Sequence, residues 1–242
     1  VLGIIGPRQI GKTTLAKILI DHLKKPSLYL DLESLEDAEV LRNAEFFFRS
    51  NEDKTIIIDE IQRDKTLFPL LRSIIDRKRD NARFILLGSA SPDLIRDSSE
   101  SLAGRIAYLE LTGLNLTEFG HQNDLWLKGG YPIIQSKERG LARWFSNYIN
   151  TYIEKDLPQI GLTGQSTLIK KLTFMLANLN GELLNYASIS KGLELTIPTI
   201  KKYLDLLEGA FLIRKLAPFH INAKKRLVKS PKVYVRDSGI LN

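Results

Sequence analysis

With 242 residues, 43% hydrophobic and 26% charged, the chain has a globular composition and is long enough for one large domain or two smaller ones. No apolar run approaches the roughly 20 residues that span a bilayer, and the absence of cysteine excludes disulfides, thiolate metal sites and a cysteine nucleophile and fits a cytoplasmic location. The net charge of +7 is lopsided, with 17 basic and 19 acidic residues in 1–120 but 18 and 9 in 121–242; the basic second half suits either a polyanionic or acidic partner or a solvated cationic face.

The chain enters a strand at once, over residues 1–5, and Gly6 ends it. Gly6-Pro7-Arg8-Gln9-Ile10-Gly11-Lys12-Thr13 then fills the pattern G-x-x-x-x-G-K-[ST], and a helical pattern follows over 14–23, with Leu15, Ile18, Leu19 and Leu23 on one side. The chemistry explains the spacing. Glycines let successive backbone N–H groups turn inward onto phosphate oxygens, and the helix adds its positive amino end. Lys12 supplies a point charge for the β- and γ-phosphates, and the Thr13 hydroxyl is the expected Mg²⁺ ligand, so residues 6–14, closing with Thr14, are expected to hold ATP.

Residues 27–32 read as a second strand and 35–50 as a helix. The β-branched run at 55–58 reads as a strand buried on both faces, and it delivers Asp59 and Glu60 to the sheet edge where ligands bind. Asp59 is expected to hold the metal through water, and Glu60 to act as general base on the attacking water. A helix at 67–77 precedes another buried strand at 82–87, which ends beside Ser89. Ser89 is a candidate sensor of the γ-phosphate; the alternative is a loop in which Ser91 or Asp93 caps the next helix. Arg105, before a strand at 106–111, is a candidate cationic arm for the phosphates in cis or from a neighbouring subunit, with Arg8 as competitor and a surface salt bridge as the plain alternative. The βαβα alternation predicts an α/β P-loop core with a mostly parallel sheet.

After residue 112 helices dominate. A short helix opens at 114–119, Gly129-Gly130-Tyr131-Pro132 marks a turn, 140–153 is helical, and 161–164 breaks the chain. From residue 165 the order resembles a winged helix-turn-helix. Helices are expected at 166–180, at 188–193 and from Thr196, a suitable cap with Pro198 in the first turn, to about Glu208; strands follow at 211–216 and 232–235. The expected domains are a core (1–112), a helical lid region (113–164) and a winged helix (165–242). Lys201, Lys202, Lys224, Lys225 and Arg226 are candidate contacts to double-stranded DNA; Asp205 and Glu208 on the same helix leave partner-protein contact as the other option. His22, His121 and His220 lack ligand spacing.

Taken together, these segments resemble a group of prokaryotic AAA-superfamily ATPases in which a P-loop core precedes a winged helix and a restriction-endonuclease-like segment. Besides the phosphate loop, the matching stretches are Tyr29-Leu30-Asp31-Leu32-Glu33, Ile58-Asp59-Glu60-Ile61-Gln62, Gly88-Ser89-Ala90-Ser91, Ser101-Leu102-Ala103-Gly104-Arg105 and Gly129-Gly130-Tyr131-Pro132. The match continues through Tyr152-Ile153-Glu154-Lys155-Asp156-Leu157 and Lys229-Ser230-Pro231-Lys232-Val233-Tyr234-Val235-Arg236-Asp237-Ser238-Gly239. The resemblance implies ATP-dependent conformational switching in signalling, defence or DNA transactions; separately, a homo-oligomer is a candidate state of assembly. The sequence is expected to be a segment of a longer protein, and residues 1–242 do not include the nuclease-like part.

Overall fold

A computed structural model describes residues 1–89, 101–119, 122–135, 140–157, 166–219 and 230–242, and the chain divides into two compact units, Val1–Thr112 and Gly113–Asn242. Residues 113–157 and 166–242 thus share one unit.

The first unit is built on a five-stranded parallel sheet in the order β2-β3-β4-β1-β5. Its strands are β1 (Leu2–Gly6), β2 (Ser27–Asp31), β3 (Thr55–Asp59), β4 (Phe84–Ser89) and β5 (Ala107–Glu110). β3 is buried along its whole length, as a β-branched run covered on both faces should be. β4 lies between β1 and β3 and ends in Ser89. β5 closes one edge and is exposed throughout. Ile4, Ala16, Ile57, Ile85 and Leu87 form a core between β1, β3, β4 and helix α1 (Lys12–Ile20).

The expected single helix at 35–50 is two, α2 (Leu35–Val40) and α3 (Ala44–Ser50), joined by a 3₁₀ turn at Leu41–Asn43. The Asn43 side chain accepts a hydrogen bond from the Phe46 N–H at 3.4 Å, so it ends one helix and caps the next. Helix α4 (Leu67–Arg77) buries Leu67, Phe68, Leu71 and Ile74 against the sheet's unit and carries the chain back towards the start of β4.

The second unit opens with four helices, α5 (Leu116–Phe119), α6 (Gln122–Lys128), α7 (Pro132–Gln135) and α8 (Leu141–Thr151), the last running on into a π turn at Tyr152–Asp156. Trp144, Tyr148 and Tyr152, spaced by four, stack along one face. The Tyr131 and Tyr148 hydroxyls bond at 2.9 Å, and Tyr152 donates to the Ala210 carbonyl at 2.7 Å. Helices α9 (Ser166–Asn178), α10 (Tyr186–Leu193) and α11 (Ile197–Gly209) precede an antiparallel pair, β6 (Ile213–Leu216) and β7 (Lys232–Val235). Thr196 caps α11 through the Thr199 N–H, and Ile200, Leu204 and Leu207 are buried. The last helix, α12 (Ser238–Leu241), is capped by Asp237, whose carboxylate accepts from the Gly239 and Ile240 N–H groups and also from Gly130 at 2.7 Å. The Gly-Gly-Tyr-Pro turn and the Arg-Asp-Ser-Gly stretch, over 100 residues apart, therefore meet through one carboxylate.

Candidate nucleotide site

Parallel strands end on one side, and here the carboxyl ends of β1, β3 and β4 bring Gly6, Asp59 and Ser89 to the same edge of the sheet. The loop between β1 and α1 needs its glycines. A Cβ on Gly6 would lie 2.4 Å from the Leu111 carbonyl oxygen, and Gly11 takes a left-handed φ of 98° as α1 begins. No side chain caps α1 and no acid occupies its first turn, so its positive end is kept for an anion. Ile10 is buried and anchors the loop, whereas Gln9, Thr13 and Thr14 face outward and Pro7 is half-buried.

Lys12 is buried and folds over the loop, donating to the Gly6 carbonyl at 3.0 Å and the Pro7 carbonyl at 2.8 Å. Burial lowers its pKa to about 8, against the opposing pull of Glu60 and Asp59. Asp59 is buried and collects three donors. The Thr13 hydroxyl (2.6 Å) and the Tyr29 phenol (2.7 Å) both reach Oδ2, and the Glu60 N–H reaches Oδ1 at 2.9 Å. The expected metal pair, Thr13 and Asp59, is thus in direct contact. Together they form a hard oxygen donor set of the kind that suits Mg²⁺, which keeps most of its waters and takes one or two protein oxygens. Among the described residues no cluster of three carboxylate or imidazole ligands offers a rival metal site.

Glu60 follows Asp59 with a left-handed φ of 53°, unusual for a non-glycine residue. Burial raises its pKa, while Gln62 and Lys12 pull it down. The Gln62 amide nitrogen donates to Glu60 Oε2 and, at 3.1 Å, to Ser89 Oγ; Ser89 lies 3.4 Å from the same carboxylate oxygen. Around the mouth, Glu33 takes Arg8 at 3.3 Å and Arg63 at 2.8 Å.

Arg105 is not brought to this site. It precedes β5, and the Val1 main-chain nitrogen donates to its carbonyl, which puts it at the amino edge of the sheet, opposite the loop. Its guanidinium grips Asp76 in two bonds, Nε to Oδ1 at 2.6 Å and Nη2 to Oδ2 at 2.9 Å. The expectation of a cis arm is corrected accordingly: strand direction alone separates Arg105 from the loop of its own chain, and Arg8 is the arginine in the loop. Lys201 and Lys202 are exposed on α11, with Lys201 5.3 Å from the Tyr186 ring. Lys224, Lys225 and Arg226 lie outside the described residues, as do Ser91 and Asp93.

Sequence reasoning gave no role to Tyr29 or Gln62. Tyr29 is on the neighbouring strand and reaches Asp59 only through the β2–β3 register, which pairs Asp31 with Asp59. Gln62 looks like one polar residue in a turn until the turn folds it back over Glu60.

An AAA domain matches residues 1–120, and Domain of unknown function (DUF8612) matches residues 120–242. Uncharacterized proteins of Mycobacterium tuberculosis and Mycobacterium bovis are each 39% identical over 243 residues, covering 99% of this chain and 54% of their own length. One from Haemophilus influenzae is 26% identical over 98% of this chain and 67% of its own. The chain thus spans about half the length of the mycobacterial relatives it matches. Among solved structures, a variant of Thermotoga maritima RuvB aligns with a TM-score of 0.43 at 20% identity, over 93% of this chain and 86% of that one. With an AAA domain leading into a matched region that fills the rest of its length, the chain belongs to the DUF8612 family.

Proposed function

We propose that the protein is a Mg²⁺-dependent ATPase whose nucleotide state switches the conformation of the chain. The observation that carries this reading is the direct Thr13–Asp59 bond at 2.6 Å beside buried Lys12 and half-buried Glu60. Lys12 and the N–H groups of the loop bind the triphosphate tail; bringing phosphate charge beside Lys12 also holds its ammonium protonated. Thr13 and Asp59 would hold the metal, which would supply positive charge against the phosphates. Glu60 takes the proton of the attacking water, and the half-buried carboxylate with its raised pKa is a stronger base than a solvated one. Catalysis of this kind is mostly positioning and electrostatics.

The test pairs two substitutions with two measurements. Lys12→Ala should abolish equilibrium binding of a fluorescent ATP analogue. Glu60→Gln should bind it normally and lose about 10²-fold or more in phosphate release. Full turnover in Glu60→Gln would reject the assigned base, and full binding in Lys12→Ala would reject the site.

A second reading is supported by the charge of the second half. There Lys215 pairs with both Asp205 and Glu208, which offsets part of the acidic charge of α11, and Lys201 and Lys202 are exposed. On this reading the second unit binds double-stranded DNA and ATP regulates it; a partner protein with an acidic face is the competing occupant.

A further inference from the structure

We propose that Gln62 is a positioning residue that couples Ser89, beside the phosphate loop, to the water-activating carboxylate of Glu60. This rests on the ATPase reading above and adds to it the link by which the nucleotide's terminal phosphate reaches the base.

Gln62 sits in a 3₁₀ turn, Ile61–Arg63, that follows directly on β3. The turn is pinned at both ends. Ile61 is almost wholly buried in the core, and the Arg63 and Asp64 N–H groups donate to the Glu60 and Ile61 carbonyls at 3.0 and 3.2 Å. The side chain therefore starts from a fixed point. Its amide end then carries two hydrogens, and both are used, one on Glu60 Oε2 and one on Ser89 Oγ.

The polarity of this amide is set by its neighbours. Turning it over would aim its oxygen at a carboxylate oxygen and at the oxygen of a hydroxyl already facing that carboxylate. The observed orientation instead leaves Gln62 Oε1 buried without a hydrogen-bond partner among the described residues. A buried, unmet acceptor costs on the order of 1–3 kcal/mol. The amide is thus held for what its nitrogen does, not for a fully satisfied fit.

Ser89 ends β4 and pairs in register with Gly6, the first residue of the phosphate loop. Its oxygen accepts from Gln62, so its own hydrogen is available for Glu60 or for a phosphate oxygen. A γ-phosphate oxygen beside Ser89 is a second charged acceptor that competes with the already hydrogen-bonded Glu60 Oε2 for that hydrogen. When the Ser89 hydroxyl turns to a γ-phosphate, Gln62 becomes the remaining tether on Glu60 Oε2, and the carboxylate keeps Oε1 for water. With a diphosphate the hydroxyl stays on Glu60. The same amide in this way reports the length of the phosphate tail to the base.

The experiment uses the full chain with Gln62→Ala, Gln62→Glu, Ser89→Ala and the Gln62→Ala/Ser89→Ala pair. It measures turnover and, separately, equilibrium affinity for fluorescent ADP and for a slowly hydrolysed ATP analogue. Gln62→Ala is expected to lower kcat at least about tenfold with KM changed less than about twofold, and to shrink the preference for the triphosphate over ADP. Gln62→Glu keeps the shape but removes the donor, and is expected to lose turnover at least as severely. The pair should be no worse than the poorer single variant, as for two members of one linkage. Wild-type kcat in Gln62→Glu, or losses in the two single variants that multiply in the pair, would overturn the proposal while leaving the ATPase intact. Absence of turnover in the unsubstituted chain, with nucleotide bound, would overturn both.

Discussion

At the scale of single residues, Asp59 is the most heavily constrained group of the site, and two of its three donors, Tyr29 and the Glu60 N–H, lie outside the phosphate loop. Tyr29 and Thr13 both donate to Oδ2, so the carboxylate's orientation is fixed by β2 as well as by α1. Burial, then the bond to Asp59, push the Tyr29 phenol up, so it stays a protonated donor through the physiological range. Lys17 lies 5.4 Å from the ring centre and helps hold it in place. Groups that orient a metal-binding carboxylate typically contribute 10- to 100-fold to metal affinity. Tyr29→Phe deletes a single hydroxyl without changing packing. It should raise the Mg²⁺ concentration needed for half-maximal nucleotide binding by about tenfold, while metal-free nucleotide binding is unchanged. A magnesium titration of fluorescent-nucleotide binding checks this, and an unaltered midpoint would show that Thr13 and the Glu60 N–H suffice to orient Asp59.

At the scale of elements, α12 depends on two glycines and a carboxylate contributed from far apart in the chain. A Cβ on Gly239 would sit 2.4 Å from both the Lys128 carbonyl oxygen and the Phe145 ring, and neither backbone nor a packed ring gives way easily. Gly239→Ala should therefore destabilise the second unit by about 1–3 kcal/mol, seen as a lower thermal midpoint. Asp237 gives a pH signature of its own. Burial raises its pKa above the ordinary 3.8 in spite of three backbone donors. The folded state therefore holds its proton to higher pH than the unfolded chain does. Its contribution to stability is largest below the unfolded pKa and is lost as pH rises through the folded one. Asp237→Asn keeps an acceptor for the cap and has no proton to lose. The difference in melting temperature, wild type minus variant, should fall as pH rises from about 4 through that window and be flat above it. These contacts also explain what the sequence made legible and what it did not. Strands β1 to β4 announce themselves as apolar runs ending in Gly6, Asp31, Asp59 and Ser89, and the loop motif names its own chemistry. Asn43, by contrast, splits a helix whose apolar spacing runs straight through it. Arg105 reads as a phosphate arm because spacing along the chain does not say which edge of the sheet a residue reaches. Asp237, Tyr29 and Gln62 act across strand register or across more than 100 residues, where local pattern carries no information.

At the scale of the whole molecule, charge and chemistry are divided between the two units. The phosphate site belongs to Val1–Thr112, whose surroundings are slightly acidic overall, while the cationic excess belongs to the half that follows. A phosphate loop needs only local positive charge, from Lys12 and a helix end, so the surplus in the second half is not required for nucleotide binding. If that surplus serves a nucleic acid, its signature is the release of counterions. The logarithm of affinity for duplex DNA should fall linearly with the logarithm of salt, by roughly 0.9 per phosphate neutralised. Replacing Lys201 and Lys202 with alanine should reduce that slope by about one unit each. Neutralising Lys224, Lys225 and Arg226 together should lower affinity across all sequences alike, because contacts to phosphates carry no base information. Lys12→Ala should leave the slope where it was, since Lys12 is buried in the first unit and is no part of the basic second half. Duplex binding that ignores salt, or a slope unmoved by removing these side chains, would assign the basic half to a protein partner and leave the nucleotide site as the chain's only polyanion-binding feature among the described residues.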